Sequence, residues 1–271
     1  MRLLARFTAL SLGSAPSEQG ARAALVEKYK PYLHKVNDFM LYMYTDLPQF
    51  SELMQELQEH GLDSKCFYDK QWSKKEVDDA EFLILGAINE CEDPVRSEFD
   101  THFKNHCKKC KAHLEQTSDI KIRRKYVGKW DFYSAYEIRN IVSPRVKEIL
   151  EREDVPGVAF RPVYTLKVED PIGWQLIVEH ILPPTHPDSN LRYSVNCPVC
   201  GLKSYVYSKT DPVAYGPEIR KLALDGFNRS HELFGGVVYP DPITIVPQRI
   251  RQLFKEHKIK GAGFAPIVIK E

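Results

Sequence analysis

Apolar residues recur at helical spacing in several stretches of the chain, and three of these run through a turn into a segment that reads as a strand. The chain turns helical from Ala21. Between Asp46 and His60, Leu47, Phe50, Leu53, Met54 and Leu57 fall on one face of a 3.6-residue period, and Gly61 stops the run. Ser73 and Glu76 have the spacing of a capping box, and Glu81 to Ile88 follows as a buried strand. The pattern returns with Ser143 as N-cap, Pro144 at the first helical position, Val146, Ile149 and Leu150 on the apolar face, then Gly157 and the strand VAFRPV. It returns again at the end, with Val246, Ile250, Leu253 and Phe254, then Gly261 and AGFAPIVI.

The last two stretches match under a shift of 104 residues, at Val142/Val246, Arg145/Arg249, Gly157/Gly261, Phe160/Phe264 and Pro162/Pro266. A C-x2-C pair precedes each, and the two agreements together suggest an internal duplication. The prolines predict edge strands or strand ends, because proline cannot donate to a ladder. Gln175 to Leu182 alternates as a further strand, and Pro183 to Pro187 reads as a rigid corner rather than a linker. The predicted fold is α+β: duplicated helix-turn-strand units around a zinc-knuckle pair, with a helical N-terminal region. The expected divisions are a flexible N-terminal extension at 1–20, a helical region at 21–71 and a double-CxxC domain at 72–271.

With 271 residues, 43% of them hydrophobic, the chain can bury a substantial core. Its 38 basic and 37 acidic residues almost cancel, so no global field draws it to nucleic acid or to an anionic membrane. No window approaches the roughly 18 to 20 apolar residues that span a bilayer. Met1 to Ala15 has the basic start, apolar stretch and small-residue end of a signal peptide, but Arg6 interrupts the apolar run. The expected compartment is the cytoplasm, because four of the six cysteines pair as C-x2-C, a pattern that suits metal thiolates better than disulfides.

Those four are Cys107, Cys110, Cys197 and Cys200. A C-x2-C turn aims two sulfurs at one point, and two such turns complete a tetrahedral zinc site. NCPVCG is the stronger signal, since Pro198 stiffens the turn and Gly201 permits a positive φ. HCKKCK lacks that glycine, but Lys108, Lys109 and Lys111 offset the negative charge of a tetrathiolate centre. The pairs are far apart in sequence, so tertiary folding must bring them together. One shared structural Zn2+ is the expected arrangement; the alternatives are a separate metal on each pair, with His102 and His106 at hand for the first, redox use and free thiols. Cys66 and Cys91 read as small buried apolar residues. CPVC resembles half of a deaminase signature, but the matching H-x-E is absent and no catalytic residues are assigned.

The two knuckles and the repeated helix, Gly, Phe, Pro-apolar ending resemble the bacterial double-CXXCG motif family, some of whose members are immunity proteins paired with secreted toxins. CKKC from Cys107 to Cys110 takes the place of the first family knuckle and CPVCG from Cys197 to Gly201 the second. VSPRVKEILEREDVPGVAFRPV and GWQLIVEHILPP look like the family's middle portion, and ITIVPQRIRQLFKEHKIKGAGFAPI like its C-terminal segment. Lys111 departs from the pattern, standing where the first motif has glycine. The resemblance runs from Trp72 to Glu271 and implies a non-enzymatic, zinc-stabilised protein that binds a cognate bacterial toxin.

A zinc-ribbon nucleic-acid binder is the alternative, on the basic and aromatic stretch of Lys121, Arg123, Arg124, Lys125, Tyr126 and Trp130. For an enzyme there are only scattered histidines, His102, His106, His180 and His186, with no nucleophile elbow or phosphate loop. If the protein acts by binding, its aromatic anchors are sought at Tyr29, Tyr32, Tyr42 and Tyr44.

Overall fold

The computed structural model describes residues 1–8, 16–36, 40–59, 66–88, 90–91, 103–105, 107–122, 129–135, 138–165, 170–236 and 240–271. The chain divides into two units, Met1–Glu76 and Val77–Glu271.

In the first unit Arg2–Thr8 lies in a four-stranded sheet between Met40–Tyr44 and Cys66–Gln71, with the short Lys35–Val36 outside Met40–Tyr44. All its pairings are antiparallel. Successive strand residues face opposite sides, so Ala5 and Phe7 point to one face, beside their cross-strand partners Met43 and Leu41. The helices Pro16–Tyr29 and Gln49–Glu59 bring Leu25, Tyr29, Leu53 and Leu57 to the same cluster, and all eight side chains are buried. Arg6, the residue that breaks the signal-like run, lies between the two inward positions and pairs with Asp69 at 2.7 Å. The opening segment is therefore a strand with one buried face. This corrects the helical N-terminal region of the expected fold, and of the extension expected at 1–20 it shows Arg2–Thr8 to be a strand, residues 9–15 lying outside the described residues.

Two six-stranded sheets dominate the second unit. In order across the first run Glu90–Cys91, Phe132–Ala135, Ile138–Val142, Gly173–Val178, Val158–Thr165 and Ile120–Ile122. The second runs Arg192–Asn196, Lys203–Val206, Asn228–Phe234, Asp241–Pro247, Phe82–Ala87 and Ala262–Pro266. Their registers correspond. Val142, Trp174 and Pro162 stand abreast in the first, as Val246, Leu83 and Pro266 do in the second. Phe160 faces Leu176 and Phe264 faces Leu85 in the same way, and all four join one apolar cluster. Asn140 Nδ2 donates to Thr244 Oγ1 at 2.7 Å, linking the two strands that carry Val142 and Val246 at matching register.

The expected α+β class with duplicated helix-turn-strand units around the knuckles does not hold. The protein is mostly β, with twenty strands and six α-helices among the described residues. The physical reason lies in range. A helix writes its period into consecutive residues, and those over Pro144–Arg152 and Gln248–Glu256 are legible. Strands such as Phe82–Ala87 take partners more than a hundred residues away, and nothing local announces the pairing. The last helix also starts later than its apolar spacing implies, because Val246 belongs to the strand Asp241–Pro247. Pro266 lies in an edge strand, as proline prefers. Pro162 does not: its strand is flanked on both sides, but the parallel partner Ile120–Ile122 begins only opposite Val163.

Local signals elsewhere have their expected form. Ser73 N donates to Glu76 Oε2 at 2.8 Å while Glu76 N donates to Ser73 Oγ at 3.2 Å, the reciprocal capping box. Ser143 Oγ accepts from Val146 N ahead of Pro144, and Val146, Ile149 and Leu150 are buried. Gly157 and Gly261 have φ of +82° and +99°. A Cβ on Gly157 would overlap the carbonyl oxygen of Phe227, and one on Gly261 that of Phe132. Each glycine thus lets the chain leaving a helix touch the start of a strand in the other sheet, where Phe227 N donates to Pro156 O and Phe132 N to Lys260 O, both at 2.9 Å.

Candidate metal centre

Each knuckle is built by the same backbone. After Cys107 the chain turns so that Lys111 N donates to Cys107 O at 2.8 Å, and after Cys197 Gly201 N donates to Cys197 O at 2.9 Å. The residue closing each turn is left-handed, Lys111 at φ +56° and Gly201 at φ +74°. Lysine therefore adopts the conformation for which glycine was expected, at a strain of about 1–2 kcal/mol. The missing glycine does not alter the turn. Val195 is buried beside Cys107 and Cys197, with Leu202 packed against them, which seals the inner side of the cluster.

The four sulfurs meet across 90 residues of sequence. All lie within 4.8 Å of one another, and Cys110 Sγ is 3.7 Å from Cys200 Sγ. Cys107 and Cys197 are buried, while Cys110 and Cys200 are half-buried. Four converging thiols can hold one metal ion, and this geometry favours a single shared centre over two local ones. His102 and His106, the extra ligands a two-site arrangement would need, lie outside the described residues.

The turns also prepare the sulfurs electrostatically. Backbone amides of Cys110 and Lys109 point at Cys107 Sγ and hold its thiol below the ordinary range, with Lys109 N at 3.3 Å. Amides of Cys200 and Val199 do the same for Cys197, whose thiol falls to about 7. At Cys200 the Leu202 amide pulls downward, but burial and proton sharing with Cys197, Cys110 and Cys107 prevail and push the thiol up to about 12. Four thiols this close cannot all ionise unaided, because each added negative charge raises the cost of the next. A cation at their centre removes that cost. Lys108, Lys109 and Lys111 are exposed around the first knuckle, where they would offset the negative charge of a metal-bound thiolate cluster. The four cysteines are legible in the sequence but these amides are not, because they belong to the turn and not to any side chain.

Other candidates separate. His180 Nε2 lies 2.8 Å from Leu222 O, and His186 Nδ1 accepts from Asp188 N at the start of a 3-10 turn, so both are engaged with backbone. Lys121 is exposed and Trp130 half-buried, but residues 123–126 of the basic stretch lie outside the described residues. Cys66 is half-buried in the sheet of the first unit. Of the four tyrosines considered as anchors only Tyr32 is exposed; Tyr29 is buried with its hydroxyl on Glu56, and Tyr44 lies under the Arg2 guanidinium at 3.7 Å.

Among the described residues no helix is long and apolar enough to cross a membrane. No protein-family model matches this chain, and no curated protein is significantly similar to it.

Proposed function

We propose that Cys107, Cys110, Cys197 and Cys200 hold one structural zinc ion, and that the zinc-stabilised protein acts by binding a cognate toxin in the manner of an immunity protein. The observation that carries the metal reading is the convergence of four sulfurs from two knuckles. Zinc–thiolate bonds of about 2.3 Å make a tetrahedron whose edges are about 3.8 Å. The 3.7 Å between Cys110 and Cys200 supports that ion. A site filled by four protein ligands has no position for a substrate, so its contribution is to tie the knuckles together, not to catalyse. Protein purified from zinc-supplemented culture should carry close to one zinc per chain by elemental analysis. Two per chain, or none with all four cysteines reduced, would remove the shared site.

The binding role rests on the resemblance of the two knuckles and the C-terminal segment to immunity-like proteins. Neutralisation by contact depends on a few buried anchors within a rim that excludes water. On this reading a toxin gene should lie beside this one; its expression should stop growth, and co-expression of the chain should restore it, with a complex recoverable by affinity capture on the toxin. Restored growth without any complex, or no rescue by well-folded protein, would overturn this role and leave the metal site standing.

A further inference from the structure

Apart from the metal centre, the second unit has a cleft of about 450 Å3 whose walls are strongly cationic. Lys129, Arg145, Lys258 and Lys260 line it together with Trp130, and Asp131 is its one carboxylate. In a chain with 38 basic and 37 acidic residues, that is a local excess that composition does not require.

The groups divide into a fixed base and a free rim. Asp131 accepts from Ser143 Oγ at 3.1 Å, from Arg145 Nη1 at 3.3 Å and from the backbone amide of Lys260 at 3.1 Å. Arg145 also donates to His257 O, so its planar fork is committed to the fold. The ammonium groups of Lys129, Lys258 and Lys260 have no carboxylate partner among the described residues; Lys129 Nζ lies 5.5 Å from the Trp130 ring centroid. The cleft is thus floored by a satisfied Asp131–Arg145 pair and rimmed by three uncompensated point charges.

The fold supplies its own control. At the corresponding positions of the other sheet stand Leu224, Asp154 and Pro156 in place of Lys129, Lys258 and Lys260. Asp154 and Lys258 occupy the same left-handed site just past a helix, at φ +45° and +51°. Aspartate tolerates that conformation better than lysine does. The backbone therefore does not explain the lysines, and Arg249 shows that the arginine alone is common to both places, paired there with Asp225.

We infer that this cleft binds a small phosphorylated ligand, with Lys129, Lys258 and Lys260 as its charge-bearing contacts. Phosphate fits better than a planar carboxylate because the free donors are ammonium point charges, while the guanidinium fork that would grip a carboxylate is already engaged.

Pyrophosphate is the probe, titrated calorimetrically into the full metal-loaded chain at fixed ionic strength, with citrate as the carboxylate comparison. Saturable binding of pyrophosphate is expected. The triple variant Lys129→Gln, Lys258→Gln, Lys260→Gln should weaken it roughly tenfold or more, a loss of about 1.4 kcal/mol. Replacing three exposed lysines elsewhere, Lys203, Lys209 and Lys221, by glutamine should change it by less than about twofold, since distant charges are screened. If the triple variant does not fold, Lys258→Asp stands in, because Asp154 already occupies the equivalent backbone site. Absence of saturable binding, an equal loss in the distant-lysine variant, or citrate binding as tightly as pyrophosphate would overturn the assignment.

Discussion

Replacing Cys197 by serine is expected to abolish stoichiometric metal and to unfold part of the second unit at temperatures where the parent is intact. The four cysteines converge only when Val77–Glu271 is folded, so the energy of binding the proposed metal would also be folding energy, and structural zinc in small modules supplies about 10–16 kcal/mol at neutral pH. Only part of that is lost here, because the apolar clusters of this unit remain; a fall in melting temperature of well over about 10 °C is the expected scale. The first unit has no knuckle and its own core, so its transition should stay in place and the melt should become biphasic. Acid should mimic the substitution: each thiol must shed its proton to ligate as a thiolate, so affinity is present at neutral pH and falls as pH falls. Cys66→Ser should leave both metal and melt unchanged. Equal calorimetric melts for the parent and Cys197→Ser would dispose of the structural metal.

Gly261→Ala is expected to cost more than any other single methyl addition at a glycine with positive φ among the described residues, with Gly157→Ala close behind. At φ +99° an alanine is strained by about 1–3 kcal/mol, and here its Cβ also overlaps the Phe132 carbonyl oxygen, a backbone atom already held by a sheet. Either the contact with Phe132 N or the course of Ala262–Pro266 must shift. A total above about 3 kcal/mol is expected, beyond the usual range of single substitutions. Gly201→Ala isolates the first term: its φ is +74°, yet nothing lies within 4 Å of an added Cβ, so only conformational strain of about 1–2 kcal/mol applies. Urea midpoints for the three variants would check the order, and Gly201→Ala matching Gly261→Ala would show that the close approach between the sheets is not rigid.

Both predictions concern features legible in the sequence to different depths. The cysteine pairs, Ser143 with Pro144, and the two glycines past the helices were readable because each acts within a few residues: a C-x2-C turn, a cap and a left-handed closure are local events. Lys111 shows the limit of such reading, since its backbone takes a glycine-like φ with no glycine to announce it. The opening strand was misread because MRLLARFT has apolar content without a clear period, and its Ala5 and Phe7 acquire an inner face only when Leu41 and Met43 arrive beside them.

By itself the sequence determined the local elements: where two amphipathic helices run, which sulfurs are presented in pairs, and where the backbone turns left-handed. The tertiary structure alone decided that strands far apart in the chain share two sheets of matching register, that the four sulfurs converge on one point, and that Lys129, Lys258 and Lys260 meet around one cleft. The reason is that helical period, caps and knuckle turns are set by neighbours in sequence. Strand pairing and the gathering of like charges depend on contacts whose loop-closure cost is repaid only in the complete fold.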